Sequence, residues 1–449
     1  MMILDLYFII MSAKIISLKQ KMNSYKYLKK SLIAIVGVGA IVFSASSSAQ
    51  SAPEASVSVS QDTKAETASE KKAEAIKLAA EKEKLFKTPL FEGKAGISFF
   101  VEDTYSGKDT SNTPQNSYSR GYILGNLYAT KDLYLSANLR FSSSTSSNST
   151  QNYFFDDGSA FFAELAVRYD ADDYSLVAGK SSINYSLSRN FAAGIWGKSF
   201  AKKEYGVDGM MVLGGAYKID AGEYGNHSLS GNVFMVDTTG LSDTYGSTRD
   251  PNQLSAGGPA NTGKFNNYAI SLDGLAIKAI PKFRYQLATV RLTTESLYNQ
   301  ATQSQVPSQF LANEQRYVAS ALLNKIDVGA GVKLTPLVEY NRVLNSLGLA
   351  GFNKSYYVGS LLFGYKQWNF GVTSTVWDGN WSGEASNVKR LIPSNAYLSD
   401  RWNQQQVSIG YTFQNGIQTS IGYKKDNQVA GTTSQTVGLN AKYDLPFAF

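Results

Sequence analysis

From residue 93 onward, apolar and polar residues alternate in short runs separated by turn-forming residues. A period of two places successive side chains on opposite faces of a strand. The last run shows this most plainly, with Val437, Leu439, Ala441, Tyr443, Leu445, Phe447 and Phe449 all on one face. Sixteen such segments can be counted, beginning near Gly93, Ser119, Leu133, Ala160, Tyr174, Tyr205, Ser228, Tyr268, Phe283, Tyr317, Gly329, Ser355, Asn369, Gln404, Ile417 and Gln435. Their connections alternate in length. Every second one is short: Lys131-Asp132, Asp170 to Asp173, Asp220 to Asn226, Ala276 to Lys282, Lys325 to Val328, Lys366 to Trp368 and Gln414 to Gly416. The others are mostly long and polar, as in Ser143 to Ser159, Thr238 to Asn266 and Asp378 to Arg401. That parity is expected of an up-and-down barrel with short turns at one rim and long loops at the other.

The faces follow from the alternation. One carries Leu133, Leu135, Ala137, Leu139 and Phe141; Phe161, Ala163, Leu165, Val167 and Tyr169; Val407, Ile409, Tyr411 and Phe413; Ile417, Thr419, Ile421 and Tyr423. The opposite face is polar, with Tyr134, Ser136, Asn138, Glu164, Gln406, Ser408, Thr412, Gln418 and Ser420. No intervening helices cover the greasy face, so its partner is lipid. Residues 91–449 therefore read as an all-β membrane protein, a 16-stranded antiparallel transmembrane β-barrel whose size leaves water inside.

Before residue 91 the pattern changes. Lys26, Lys29 and Lys30, the apolar stretch from Leu32 to Phe43 and the small residues Ser47-Ser48-Ala49 have the order of a signal peptide starting at Met22. Residues 1–49 are thus expected to be leader and signal, and 50–63 a polar linker. Residues 64–88 are rich in Ala, Glu and Lys without Gly, which predicts a short N-terminal periplasmic helix ended by Thr88-Pro89. Its weak apolar face fits a solvated spacer, a stalk in contact with peptidoglycan, or a pore plug.

Composition narrows the chemistry. The chain of 449 residues has 18% charged and 12% aromatic residues and no cysteine, which excludes disulfides and thiolate chemistry. Mean hydropathy is only −0.21, as alternating strands allow. The net charge of +7 is mostly leader, because six lysines and one aspartate precede residue 50. No concentrated basic patch for nucleic acid remains. His227 is the one histidine and falls in a predicted turn, so neither a Ser-His hydrolase nor a His-based metal site is indicated. Asp156-Asp157 and Asp172-Asp173 read as solvated loop pairs; no cofactor is implied.

The barrel architecture, the terminal Phe449 and the phrase Leu334 to Tyr340 resemble the general diffusion porins of Gram-negative bacteria. In those trimers each subunit is a 16-stranded barrel narrowed by its third extracellular loop. The resemblance implies passive, non-enzymatic diffusion of small hydrophilic solutes and residence in the outer membrane. It also implies contact with outer-membrane lipid and lipopolysaccharide, homotrimer formation, and reading of Phe449 by the barrel-assembly machinery. By position, Ser181 to Glu204 corresponds to the constriction loop. That loop is typically acidic and faces a basic wall, whereas here Ser181 to Lys203 has no Asp or Glu. It carries Arg189, Lys198, Lys202 and Lys203 with Phe191, Trp196 and Phe200. Inward parity adds Arg120, Arg140, Arg168, Arg284, Lys333 and Lys424 against Glu164 and Glu339. A single-sign excess concentrates counter-ions, so a weak anion preference is expected. Alternatives are a carbohydrate channel using the loop aromatics with Tyr122 and Tyr134, a phosphate-selective channel, and an adhesin or receptor acting through Thr238 to Asn266.

Overall fold

The computed structural model describes residues 90–106, 115–143, 153–154, 158–245, 252–299, 304–381, 401–428 and 433–448. The expected leader (1–49), linker (50–63), helix (64–88) and Phe449 lie outside these residues. The alternating segments form sixteen long strands: β1 (Phe91–Ser106), β2 (Gln115–Tyr128), β3 (Leu133–Ser143), β4 (Gly158–Asp170), β5 (Tyr174–Ser181), β6 (Met210–Asp220), β7 (Asn226–Val236), β8 (Asn267–Leu275), β9 (Phe283–Leu292), β10 (Glu314–Leu323), β11 (Val332–Leu344), β12 (Phe352–Tyr365), β13 (Trp368–Trp381), β14 (Arg401–Thr412), β15 (Gln418–Gln428) and β16 (Thr433–Ala448). Each pairs antiparallel with its sequence neighbours. β1 closes the ring on β16, from Glu92 opposite Ala448 to Ser106 opposite Ser434. Closure leaves no open edge among these strands, the condition for a sheet in hydrocarbon.

The apolar sets point out. Leu133, Leu135, Phe141, Val407, Ile409, Ile421 and Leu439 are exposed on the outer surface, as a lipid-facing belt requires. Rings gather at the rim with the short turns: Trp368 meets Tyr411 edge-on at 4.8 Å, Tyr411 meets Phe413 at 4.9 Å, and Tyr169 lies 5.7 Å from Tyr174. An amphipathic ring suits the headgroup layer, and these form a girdle there.

Two boundaries differ from the alternation. The sixth strand begins at Met210, not near Tyr205, because residues 182–209 fold inward as a loop. In β4, Asn138 opposes Glu164 but Leu139 opposes Phe162, so Ala163 is an extra residue in a bulge. A bulge reverses parity beyond it. Phe162 therefore takes the outward position, while Phe161 faces Arg140 across the pair and shares its lumen face.

The lumen is not uniformly polar. Inward residues of β6 to β13, including Val212, Phe234, Ala269, Val290, Val318, Val343, Tyr356 and Trp377, are buried in one cluster with Ile183, Tyr185, Phe200, Tyr205 and Val207 of the inserted loop. The local signal is the loss of alternation in runs such as Met210-Met211-Val212-Leu213 and Val233 to Val236, where both faces are apolar.

The face assignment predicts an asymmetry. Leu439 is 51% exposed on the outer face, so Leu439→Arg should destabilise the barrel by about 2–4 kcal/mol. Ser420→Arg, on the lumen face of the next strand, should cost less than about 1 kcal/mol; urea unfolding in lipid vesicles checks both.

Candidate functional site

The loop at residues 182–209 carries two short helices, α1 (Ser188–Phe191) and α2 (Gly197–Glu204). It leaves β5, turns into the barrel and docks across the lumen on β10 to β14 and on β1. Its main anchor is Glu339 of β11, expected on the pore wall but buried at 4% exposure. That carboxylate accepts hydrogen bonds from Ser186 Oγ (2.8 Å), Ser188 Oγ (2.6 Å), the Ser188 N–H (3.0 Å), Tyr205 OH (2.6 Å) and Ser320 Oγ (2.7 Å). A carboxylate in a dry place needs such a donor shell. Tyr185 OH adds a bond to Asn341 at 2.9 Å. At the loop's end, Arg316 of β10 donates to the Tyr205 carbonyl at 2.8 Å.

The middle of the loop is held by its backbone. The Ala193 N–H donates to Ser360 Oγ (2.8 Å), and Thr373 Oγ1 donates to the Ala193 carbonyl (2.9 Å). The Trp196 N–H donates to Gln406 Oε1 at 3.1 Å, and its indole Nε1 reaches Glu102 of β1 at 2.7 Å. The indole ring rests where β15 and β16 have no side chains: a Cβ would lie 3.1 Å from it at Gly422 and 2.5 Å at Gly438. These glycines are a seat for the ring.

The three loop aromatics thus face the wall. Trp196 sits on the glycine seat, and Phe200 stacks on Trp402 at 5.0 Å. Phe191 packs against Leu187, Leu322, Leu337 and Val358, with the Arg284 guanidinium 5.3 Å from its ring centre. Burying a ring of this size contributes roughly 1.5–3 kcal/mol, so the cluster around Phe200 and Tyr205 adds to the hold that Glu339 has on the loop.

The charged residues separate into tied and open groups. Arg168 pairs with Glu164 at 2.7 Å and donates to Ser181 Oγ at 2.9 Å. Arg189 is tied to Asp208 and to the Ile183 carbonyl, locking the two ends of the loop together. Lys424 pairs with Asp426 at 3.1 Å above the Trp196 ring, and Arg284 lies 3.9 Å from Asp273. Lys333 is exposed near the short-turn rim. Lys203 is exposed on α2.

The remaining bases converge on the side the loop leaves open. Lys198 and Lys202 of α2 are exposed, as are Arg120 and Arg140 on the lumen faces of β2 and β3. Arg120 is steadied by the rings of Tyr118 (4.9 Å) and Phe100 (5.2 Å) rather than by a carboxylate. Although solvent reaches the Lys202 side chain, the protein crowded around its ammonium strips enough hydration to push it down to about 8, with the charges of Arg140, Arg189, Lys198 and Arg120 adding to the shift. Lys198 is lowered by burial and by Lys442 and Lys94. Lys94 and Lys442, which inward parity also selects but the sequence reading passed over, share one carboxylate, Asp444, at 3.0 and 2.6 Å. Tyr122 OH also donates to Asp444, at 2.7 Å, and Tyr134 OH donates to Asp170 at 2.5 Å. His227 is buried in the wall, its Nδ1 3.2 Å from Tyr285 OH. Among the described residues there is no acidic or histidine cluster able to hold a metal ion.

A closed ring of sixteen antiparallel strands, greasy outside, with a loop folded into a wet lumen, is the architecture of an outer-membrane channel. One solved structure agrees on the fold. OprB of Pseudomonas putida matches with a TM-score of 0.56 at 9% identity, over 82% of this chain and 97% of that one. The outer-membrane channel DcaP of Acinetobacter baumannii matches with a TM-score of 0.49 at 11% identity, over 79% of this chain and 97% of that one. No family model and no curated protein matches the sequence. The chain has the fold of the Gram-negative outer-membrane porins.

The anchor makes a prediction. Glu339→Ala removes the acceptor shared by Ser186, Ser188, Tyr205 and Ser320 and leaves buried donors unpaired, each costing about 1–3 kcal/mol. The barrel should still close, but single-channel recordings should show larger conductance and rapid flicker as the loop leaves the wall.

Proposed function

We propose that the chain is a porin for passive diffusion of small hydrophilic solutes, with a weak preference for anions set at the constriction. The observation that carries this reading is the placement of Lys198 and Lys202 on the loop and Arg120 and Arg140 on the wall. They share the open side of the lumen, and none has an ion-pair partner among the described residues. A same-sign field in a narrow, low-dielectric passage raises the local concentration of counter-ions. Solutes enter between the long loops, pass α2 and leave at the short-turn rim down their gradient. No covalent step is involved.

Support for a carbohydrate channel is weaker, because Phe191, Trp196 and Phe200 have turned their rings to the wall. A phosphate-selective channel keeps the support that the open bases give to any anion. The adhesin reading loses ground because the loop after β7 is fastened inward: Asp237 takes an ion pair from Lys180 at 2.8 Å, and the Leu241 carbonyl accepts from the same ammonium at 2.5 Å. Homotrimer formation, contact with lipopolysaccharide, recognition by the barrel-assembly machinery and peptidoglycan contact by residues 64–88 belong to the same proposal and follow from the porin resemblance.

The test is the zero-current potential in a KCl gradient across a planar bilayer. Below pH 7 the Lys202 ammonium carries its charge, and as pH rises through about 8 that charge is lost. Chloride preference should therefore be strongest in acid and step down near pH 8, and Lys202→Met should remove the step. A potential favouring potassium at pH 6 contradicts the reading.

A further inference from the structure

We infer that the short-turn rim from β8 to β13 is a docking surface for anionic phospholipid, whose phosphodiester headgroups sit among the ammonium groups of Lys282, Lys325 and Lys366. The inference rests on the barrel spanning a membrane and is independent of its ion preference. The rim is divided by charge. The turns after β2, β4 and β6 carry Asp132, Asp172, Asp173, Asp220 and Glu223 against one base, Lys131. Those after β8, β10 and β12 carry Lys278, Lys282, Lys325 and Lys366 against Asp327, whose carboxylate accepts from the Gly329 N–H at 2.8 Å. Lys278 marks the border between the two arcs by pairing with Glu223. The other three lysines are exposed along the basic arc.

The backbone supplies an independent observation. Lys282, Lys325 and Lys366 have φ of 67°, 52° and 50°, in the left-handed region that glycine and asparagine enter readily and that strains other residues. Where the same rim bends after β6 and β14, glycine takes such positions, at Gly222, Gly225 and Gly416. Ala276 and Ala330 share the conformation in the basic turns, so a side chain can be borne there; a lysine in each of three successive turns is what needs a reason. Strain retained in this way points to a task for the side chain. Turns of successive hairpins lie two strand spacings apart, so the three lysines span about 20 Å of rim. Lys282 Nζ donates to the Lys325 carbonyl at 2.9 Å, which draws these two turns together and uses one of its three donors.

The neighbours of the lysines select the ligand. Ile280, Val328, Tyr365, Trp368 and Phe413 are exposed on the same rim. Tyr365 ends β12 and Trp368 begins β13, with Lys366 one step beyond them and its ammonium 5.2 Å from the centre of the Tyr365 ring. Rings of this kind seat at the headgroup level, and basic side chains beside them attract anionic headgroups. A free anion would have no use for the apolar belt, and a neutral lipid none for the cations. A phosphodiester above acyl chains uses both.

Trp368 provides the readout. It is the one tryptophan of five on the outer face, because Trp377 and Trp381 have the opposite parity in β13 and Trp196 and Trp402 pack in the lumen. The experiment is quenching of its fluorescence in phosphatidylcholine vesicles containing a minor fraction of brominated lipid. Brominated phosphatidylglycerol should quench as though enriched about fivefold over brominated phosphatidylcholine. Lys282→Asn, Lys325→Asn and Lys366→Asn together keep the turns, since asparagine accepts the left-handed conformation. That triple variant should lose the preference, while its urea midpoint in pure phosphatidylcholine stays at or above that of the wild type. Lys131→Asn, on the acidic arc, should change neither. Unbrominated phosphatidylglycerol should reverse the quenching, and inorganic phosphate should not. Equal quenching by the two lipids, a preference that survives the triple variant, a lowered urea midpoint of that variant, or equal reversal by phosphate overturns the docking surface, whatever the channel's ion selectivity. Absence of quenching by either lipid overturns the membrane-spanning barrel with it.

Discussion

In hydrocarbon an unpaired backbone N–H or C=O costs several kcal/mol, and the seam between β1 and β16 spares this sheet that cost. Fifteen registered positions from Glu92 to Ser106 meet their partners across it. The other features depend on the ring being closed. Closure separates an outer face, which must be apolar throughout, from an inner face that is free to be wet in one sector and packed in another. The chain uses that freedom by dividing its lumen.

The division is made by one loop. Over β6 to β13 the inner wall carries a buried apolar cluster, and the loop's Tyr185, Phe200 and Tyr205 pack into it. Glu339 pins the beginning and end of the loop to the same point on β11, and Trp196 carries the middle across to β1. What remains open is the sector bounded by β16, β1, β2 and β3, and its wall is the one that carries Lys442, Lys94, Arg120 and Arg140. Packing therefore leaves this sector open, and under the proposed function its charges set which solutes pass.

Much of this was legible in the chain. The strand count and the lipid-facing sets of β3, β14, β15 and β16 follow from a strict period of two, because a one-residue slip would put a polar face into lipid. The bulge at Ala163 was hidden, since an extra residue within Phe161-Phe162-Ala163 changes no residue's character. Parity put Glu339 inward correctly but could not show that Ser186, Ser188 and Tyr205, more than a hundred residues away, would cover it. The same limit applied to the loop bases: alternation shows which face a strand residue takes but carries no information on where a loop folds. Arg189 became a lock for the loop and Lys202 became part of the open cluster, although they lie in one short segment. The apolar inner sector did leave a trace, in the runs at Met210 to Leu213 and Val233 to Val236.

The central claim is that one half of the lumen is packed and the other conducts, and the absence of native cysteine allows a direct measurement. Cysteine can be placed at Ser98, on the lumen face of β1 in the open sector, and at Thr375, on the lumen face of β13 and 1% exposed. The measurement is the rate at which a charged, water-soluble thiol reagent changes single-channel current. Ser98→Cys should react quickly with a stepwise fall in current, and Thr375→Cys should be inert. Equal reaction at the two positions would contradict the divided lumen.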